Sequence, residues 1–147
     1  MRAGLDQRAE GSDGEPSIGL DGNGRPMVVF DTSSKNLPVT ADALQRRNGG
    51  VNNFAIARFT QSLSAFEYLT YWGSGGSDNL GYASFFDRFG NIYLAGNSDA
   101  LTYPKVRTVQ EPAGDFDMVV SKAVFGAPRL ETGASFVDIP ADSSPGQ

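Results

Sequence analysis

The stretch Asp87-Arg88-Phe89-Gly90-Asn91-Ile92-Tyr93-Leu94-Ala95-Gly96-Asn97-Ser98-Asp99-Ala100-Leu101-Thr102-Tyr103-Pro104 decides the fold. It begins with turn chemistry: an Asp side chain bonds backbone two residues on, and Gly takes a positive φ without a Cβ clash. Ile92, Tyr93 and Leu94 then carry the β-branched and aromatic side chains of a strand. Gly96 leaves room for a neighbour, and Asn97-Ser98 returns the chain to a polar loop.

The same order of residue classes occurs sixty-six residues earlier. Asp21-Gly22-Asn23-Gly24 precedes Met27-Val28-Val29-Phe30, and Asp31-Thr32 and Pro38 stand where Asn97-Ser98 and Pro104 stand. Asn53-Phe54-Ala55-Ile56-Ala57-Arg58 matches Asp117-Met118-Val119-Val120-Ser121-Lys122 at an offset of 64, and Gly11-Ser12-Asp13 matches Gly76-Ser77-Asp78 at 65. Few residues are identical. The agreement of three blocks on a period near 65 is what establishes an internal repeat.

Each copy reads as four short strands. In the first they are Ser17 to Asp21, Met27 to Phe30, Asn53 to Phe59 and Ala65 to Trp72, followed by the glycine-rich exit Gly73 to Asp78. In the second copy the strand signal starts at Tyr82, the third strand is Asp117 to Val124, and the fourth, Leu130 to Phe136, is a degraded counterpart of Phe66 to Trp72. Between the second and third strands of the first copy, Ala41 to Arg47 has the composition for one helical turn, too short to stand alone. Residues 1–10 read as a tail or the broken end of a preceding element, 11–75 as the first unit, 76–136 as the second, and 137–147 as a disordered tail.

Composition narrows the function classes. At 39% hydrophobic and 20% charged residues the chain is globular, and a formal charge of -5 argues against nucleic-acid or anionic-membrane partners, which need a basic stripe. The adjacent basic pair Arg46-Arg47 reads as a solvated loop. There is no cysteine, hence neither disulfide nor thiolate metal site, and the redox compartment stays open. No signal-peptide run or membrane-spanning stretch is visible, so the chain as written reads as soluble and unaddressed.

Four strands per repeat, with aromatic and glycine marks at fixed places and apolar residues on both faces, fit blades that stack face to face. Asp87-x-x-Gly90-Asn91-Ile92-Tyr93-Leu94-Ala95-Gly96-Asn97-Ser98, then Tyr103-Pro104, then Asp117 to Lys122, resembles the bacterial seven-bladed β-propeller repeat family (SBBP), as does Leu69-Thr70-Tyr71-Trp72-Gly73 before the glycine-rich loop. The first copy departs from the pattern, with Phe30 in the place of Gly96 and Gly19 in that of Phe85; Ser84 fills a position the family gives to an aliphatic residue. The fold expected is all-β: two four-stranded antiparallel blades of an incomplete propeller. The resemblance implies a bacterial repeat protein, secreted or at the cell surface, whose propeller presents a binding surface. Its motif contains no catalytic residues.

Candidate sites are few. Asp21-Gly22-Asn23-Gly24 and Asp78-Asn79 are rich in the oxygens calcium takes, but the spacing of a calcium loop is missing and an ordinary turn is the reading adopted. Asp115 and Asp117 read as a strand-entry cap. With no histidine the chain lacks the usual triad base and commonest metal ligand, and Gly73-Ser74-Gly75 has no helix behind it to make a nucleophile turn. Phe66, Tyr68, Tyr71 and Trp72 could stack on a sugar, with core packing the adopted reading. The expectation is therefore a binding and scaffold module without catalytic residues, metal or cofactor. Its ligand, a carbohydrate or a protein, would meet loop residues Asn97, Ser98, Asp99, Thr102 and Tyr103 and their counterparts Asp31 to Leu37. The alternative is part of a propeller hydrolase or lyase with its catalytic groups in other blades. Two blades should leave both outer sheet faces bare, so the partners expected are further blades of a longer chain or other copies of this one.

Overall fold

The computed structural model describes residues 11–100, 102–103, 115–126 and 129–136, with the backbone alone for 79–83 and 125–136. The proposed tails, 1–10 and 137–147, lie outside the described residues. The described chain is all-β. Strands β1 (Asp13–Leu20), β2 (Pro26–Thr32), β3 (Asn53–Phe59) and β4 (Phe66–Trp72) form one antiparallel sheet in the order β1-β2-β3-β4. Strands β5 (Asp78–Phe86), β6 (Ile92–Ser98), β7 (Asp117–Gly126) and β8 (Arg129–Phe136) form a second in the order β5-β6-β7-β8. We call them sheets 1 and 2.

The two β1–β2 and β5–β6 turns are the same object. In the first, the Asp21 amide donates to the Arg25 carbonyl (3.0 Å), the Gly24 amide donates to the Asp21 carbonyl (2.9 Å), and Asp21 Oδ1 accepts the amides of Asn23 and Arg25 (2.8 and 2.9 Å). In the second, Asp87, Asn91, Gly90 and Phe89 repeat these four bonds at 3.0, 2.9, 2.9 and 3.0 Å. Gly24 and Gly90 sit at φ 74° and 79°, where a side chain is strained. Desolvation pushes both carboxyls up, but the amide hydrogen bonds outweigh it. Helped by Arg25 at Asp21 and by the Asn91 side chain at Asp87, they hold both below the usual carboxylate range.

The ladders repeat as well. Asp13 pairs with Thr32 as Asp78 pairs with Ser98, and the register slips once in each hairpin, between Gly14 and Ser17 and between Leu80 and Ala83. These bulges explain why the first strands are longer than the sequence pattern suggests: β1 begins at Asp13, not Ser17, and β5 at Asp78, not Tyr82. A bulge breaks the alternation that marks a strand in sequence while leaving its pairing intact.

Each sheet has two faces, fixed by register. Face A of sheet 1 carries Met27 and Val29 of β2, Phe54 and Ile56 of β3, and Trp72 of β4; face B carries Val28 and Phe30, Ala55, Ala57 and Phe59, and Leu69 and Tyr71. In sheet 2, face B carries Ile92, Leu94, Val119, Ser121 and Ala123, and face A carries Tyr93, Ala95, Asn97, Met118, Val120 and Lys122. Face A of sheet 1 packs on face B of sheet 2 in one buried core that also takes in Tyr103. The sheets therefore stack in the same sense, front on back. Strand β5 is the one that lies against β1, β2 and β3. Gly19 makes this possible, because a Cβ there would collide with the Phe86 ring.

Two sequence expectations need correction. Ala41 to Arg47 does not continue as a helix: one turn closes, with the Ala43 amide donating to the Thr40 carbonyl (3.1 Å), and then the Leu44 and Gln45 amides donate to Tyr68 Oη (3.3 Å) and Thr70 Oγ1 (3.0 Å) and Gln45 bridges Tyr71, so the sheet edge satisfies groups that a helix would have used. Nor is the outer face of sheet 1 bare. The connection from β2 to β3 folds over face B, where Leu37 and Val39 join the core. The Leu37 amide donates to Tyr71 Oη (2.8 Å), which donates in turn to the Ser34 carbonyl (3.0 Å). A long polar segment reads as a loop in sequence, and the single Leu and Val that anchor it give no periodic signal.

The turns generate two predictions. A Cβ on Gly90 would lie 2.9 Å from the Asp21 Cβ, whereas one on Gly24 meets nothing nearer than 3.5 Å. Gly90→Val should therefore cost at least about 1 to 2 kcal/mol from the φ strain alone, and Gly90→Ala should cost more than Gly24→Ala, both read from denaturant melts. The depressed Asp21 and Asp87 carboxyls contribute stability that is present above the unfolded value of about 3.9 and is lost as pH falls through their folded values. Asp21→Ala should flatten the acid limb of the stability profile below about pH 4, and an unchanged limb would contradict the turn's role.

Candidate functional site

The residues marked out by the sequence as a ligand loop separate into two groups. Asn97 and Asp99 are exposed at the end of β6 and just beyond it, as is Thr102. Ser98 and Tyr103 are buried, and Tyr103, 2% exposed, belongs to the core between the sheets. Its ring meets Phe54 and Trp72 edge to face, with centroids 6.4 and 6.5 Å apart. Its hydroxyl is 2.8 Å from Ser121 Oγ, which accepts the Trp72 indole N–H at 3.1 Å. Burial raises the Tyr103 phenol well above its usual range, though the Ser121 hydrogen bond works against the shift. Tyr103 cannot offer a face to a ligand in this arrangement, and it does for sheet 2 what Leu37 does for sheet 1. Among the counterparts Asp31 to Leu37, Thr32, Ser34 and Leu37 are likewise buried.

The other candidates are placed as follows. Tyr68, Tyr71 and Trp72 are buried and Phe66 half-buried against Phe59, so they form no open stacking platform. Asp78 is fully buried. Its carboxylate accepts the Ser74 amide and hydroxyl (2.5 and 2.8 Å) and the Asn53 side-chain amide (2.7 Å), while Asn53 Oδ1 takes the Gly49 amide at 2.6 Å. This polar knot ties the start of β3 to the start of β5. The oxygens of Asp21 are occupied by backbone amides and by Arg25, whose guanidinium also meets Glu67 at 2.7 Å. Asp115, at φ 54°, and Asp117 flank the exposed Phe116 at the entry to β7.

One open depression adjoins the exposed loop residues. It measures about 340 Å³ and is lined by Ala95, Gly96, Asn97, Phe116 and Met118. Asn97 and Met118 are cross-strand partners, and Phe116 stands just before β7. The lining has apolar contact area with a single side-chain amide, a composition suited to holding a hydrophobic group or sugar face while one donor–acceptor pair orients it. Sequence reasoning found Asn97 and missed Phe116 and Met118, because an apolar residue on an alternating strand carries no sign of whether its face is covered. A smaller polar cleft lies among Asn23, Arg25, Gln61 and Glu67 at the turn end of sheet 1, where Gln61 donates to the Asn23 carbonyl (2.8 Å).

The two groups should respond differently to truncation. Tyr103→Ala opens the core and should cost about 3 to 5 kcal/mol, whereas Phe116→Ala, at an exposed position, should stay within about 0.5 kcal/mol of the parent. Equilibrium unfolding monitored at Trp72 measures both, and equal losses would show that the assignment of core and surface is wrong. Comparison of the chain with family models, curated proteins and solved structures finds no match among any of them.

Proposed function

We propose that this chain is a non-enzymatic binding and scaffold module made of two β-propeller blades, belonging to a larger bacterial assembly at the surface or outside the cell. The observation that carries the reading is the stacking of two repeat sheets in the same sense, face A of one on face B of the next. Repeated front-on-back stacking with β5 close to β1 is the geometry in which further blades add without a change of rule. The repeated turns and the long connections carried by each copy support it further. On this reading the strands are framework, and recognition belongs to exposed loop and rim groups, chiefly Asn97, Asp99 and Thr102, with the Phe116 and Met118 depression beside them. The surface or secreted location rests on the family resemblance alone.

Glycan and peptide arrays, run beside generic esterase, glycosidase and polysaccharide-lyase assays on the full chain, test the proposal. The expected result is capture of a ligand without turnover, weakened at least tenfold by Asn97→Ala or Phe116→Ala while the melting temperature holds. Turnover abolished by Asp99→Asn or Asp115→Asn would overturn it in favour of a hydrolase or lyase.

A further inference from the structure

Face A of sheet 2 occupies the position that face A of sheet 1 occupies one repeat earlier, but nothing in the described chain covers it. Met27, Val29, Phe54 and Ile56 are buried under sheet 2, whereas their counterparts Tyr93, Ala95, Met118 and Val120 range from half-buried to exposed, with Met118 at 42%. Phe85, in the place of Gly19, is 64% exposed. At the other end of the stack, face B of sheet 1 is closed over β2, β3 and β4 by Leu37 and Val39 but left open at β1, where Ile18 and Leu20 are 69% and 59% exposed. β1 is the counterpart of β5, the very strand that sheet 2 lays against sheet 1.

The geometry points to a head-to-tail contact between copies of this chain, in which β1 of one copy seats on β5, β6 and β7 of the next through face A of sheet 2. Continuity with the internal interface argues for this occupant: the exposed strand on one side matches the strand already used inside the chain, and the exposed face on the other matches the face it is used on. Side-chain size sets the spacing. Within the chain Gly19 lets Phe86 come close, since a Cβ there would lie 2.8 Å from the Phe86 Cβ; between copies Phe85 stands in the place of Gly19, so Leu20 of the incoming strand must sit farther out than Phe86 does inside the chain. The contact is heterologous, with different patches on the two partners, and it propagates until a ring closes. This inference rests on the repeat-sheet part of the proposed function and names its partner.

The test is light scattering on the full chain and on two variants at exposed positions, Leu20→Lys on one patch and Met118→Lys on the other. The parent should show a mass above the monomer that rises with concentration up to about 100 μM, the range where weak contacts of this size populate. Each variant alone should stop at the monomer, and an equimolar mixture of the two should form a dimer, since each retains the patch that the other lost. Ile18→Lys and Phe85→Lys provide a second pair should either first variant melt early. A monomeric parent throughout overturns the inference. So does association that survives Leu20→Lys and Ile18→Lys but not Met118→Lys, which would mean two copies meeting face A to face A by a two-fold axis. Array binding measured on the parent and on Leu20→Lys, which leaves the Phe116 and Met118 depression unaltered, keeps the outcomes apart: ligand capture by a parent that stays monomeric would leave the binding module standing while the copy contact fails.

Discussion

The hydroxyl of Ser121 holds the two sheets in register. It lies on face B of sheet 2 and accepts the indole N–H of Trp72 from face A of sheet 1, while the phenol of Tyr103 reaches it from the β6–β7 connection. Three polar atoms are thereby satisfied in the middle of an apolar core, and each would be costly to bury alone. The directionality matters as much as the energy. Apolar contact between Met27, Val29, Ile56 and the facing Ile92, Leu94 and Val119 would tolerate sliding, but a buried three-atom node fixes one arrangement.

A second constraint acts at the end of the stack. Asp78 opens β5 and Asn53 opens β3, and their side-chain contact, completed by Ser74 and Gly49, ties one sheet's third strand to the other's first. At the opposite end the two Asp-centred turns touch, with Gly90 pressed against Asp21. The stack is thus pinned at its middle and at both ends of the strands. That leaves exposed side chains such as Asn97, Thr102 and Phe116 to vary at little cost to the framework.

Much of this was legible in the sequence, because the turns are local. Asp-x-x-Gly is a backbone requirement written in two residues, and it marked both hairpins, the positive φ of Gly24 and Gly90, and the repeat itself. β3 was readable to the residue, since Asn53 to Phe59 is bounded by polar chain and dense in apolar side chains. What did not read was anything decided by a distant partner. Tyr103 resembles a loop aromatic until Trp72 and Ser121 close around it. Ala41 to Arg47 resembles a helical turn until Tyr68 and Thr70 take its amides. The capping of face B rests on Leu37 and Val39 alone, and the bulges in β1 and β5 scramble the two-residue period while preserving the pairing.

The most direct test of same-sense stacking is a double-mutant cycle between Trp72→Phe and Ser121→Ala, which lie on different sheets and forty-nine residues apart. Front-on-back packing predicts a coupling energy of about 0.5 to 1.5 kcal/mol by denaturant unfolding, the value of a buried neutral hydrogen bond. Strictly additive losses would contradict the arrangement, because the two side chains could then not share the core.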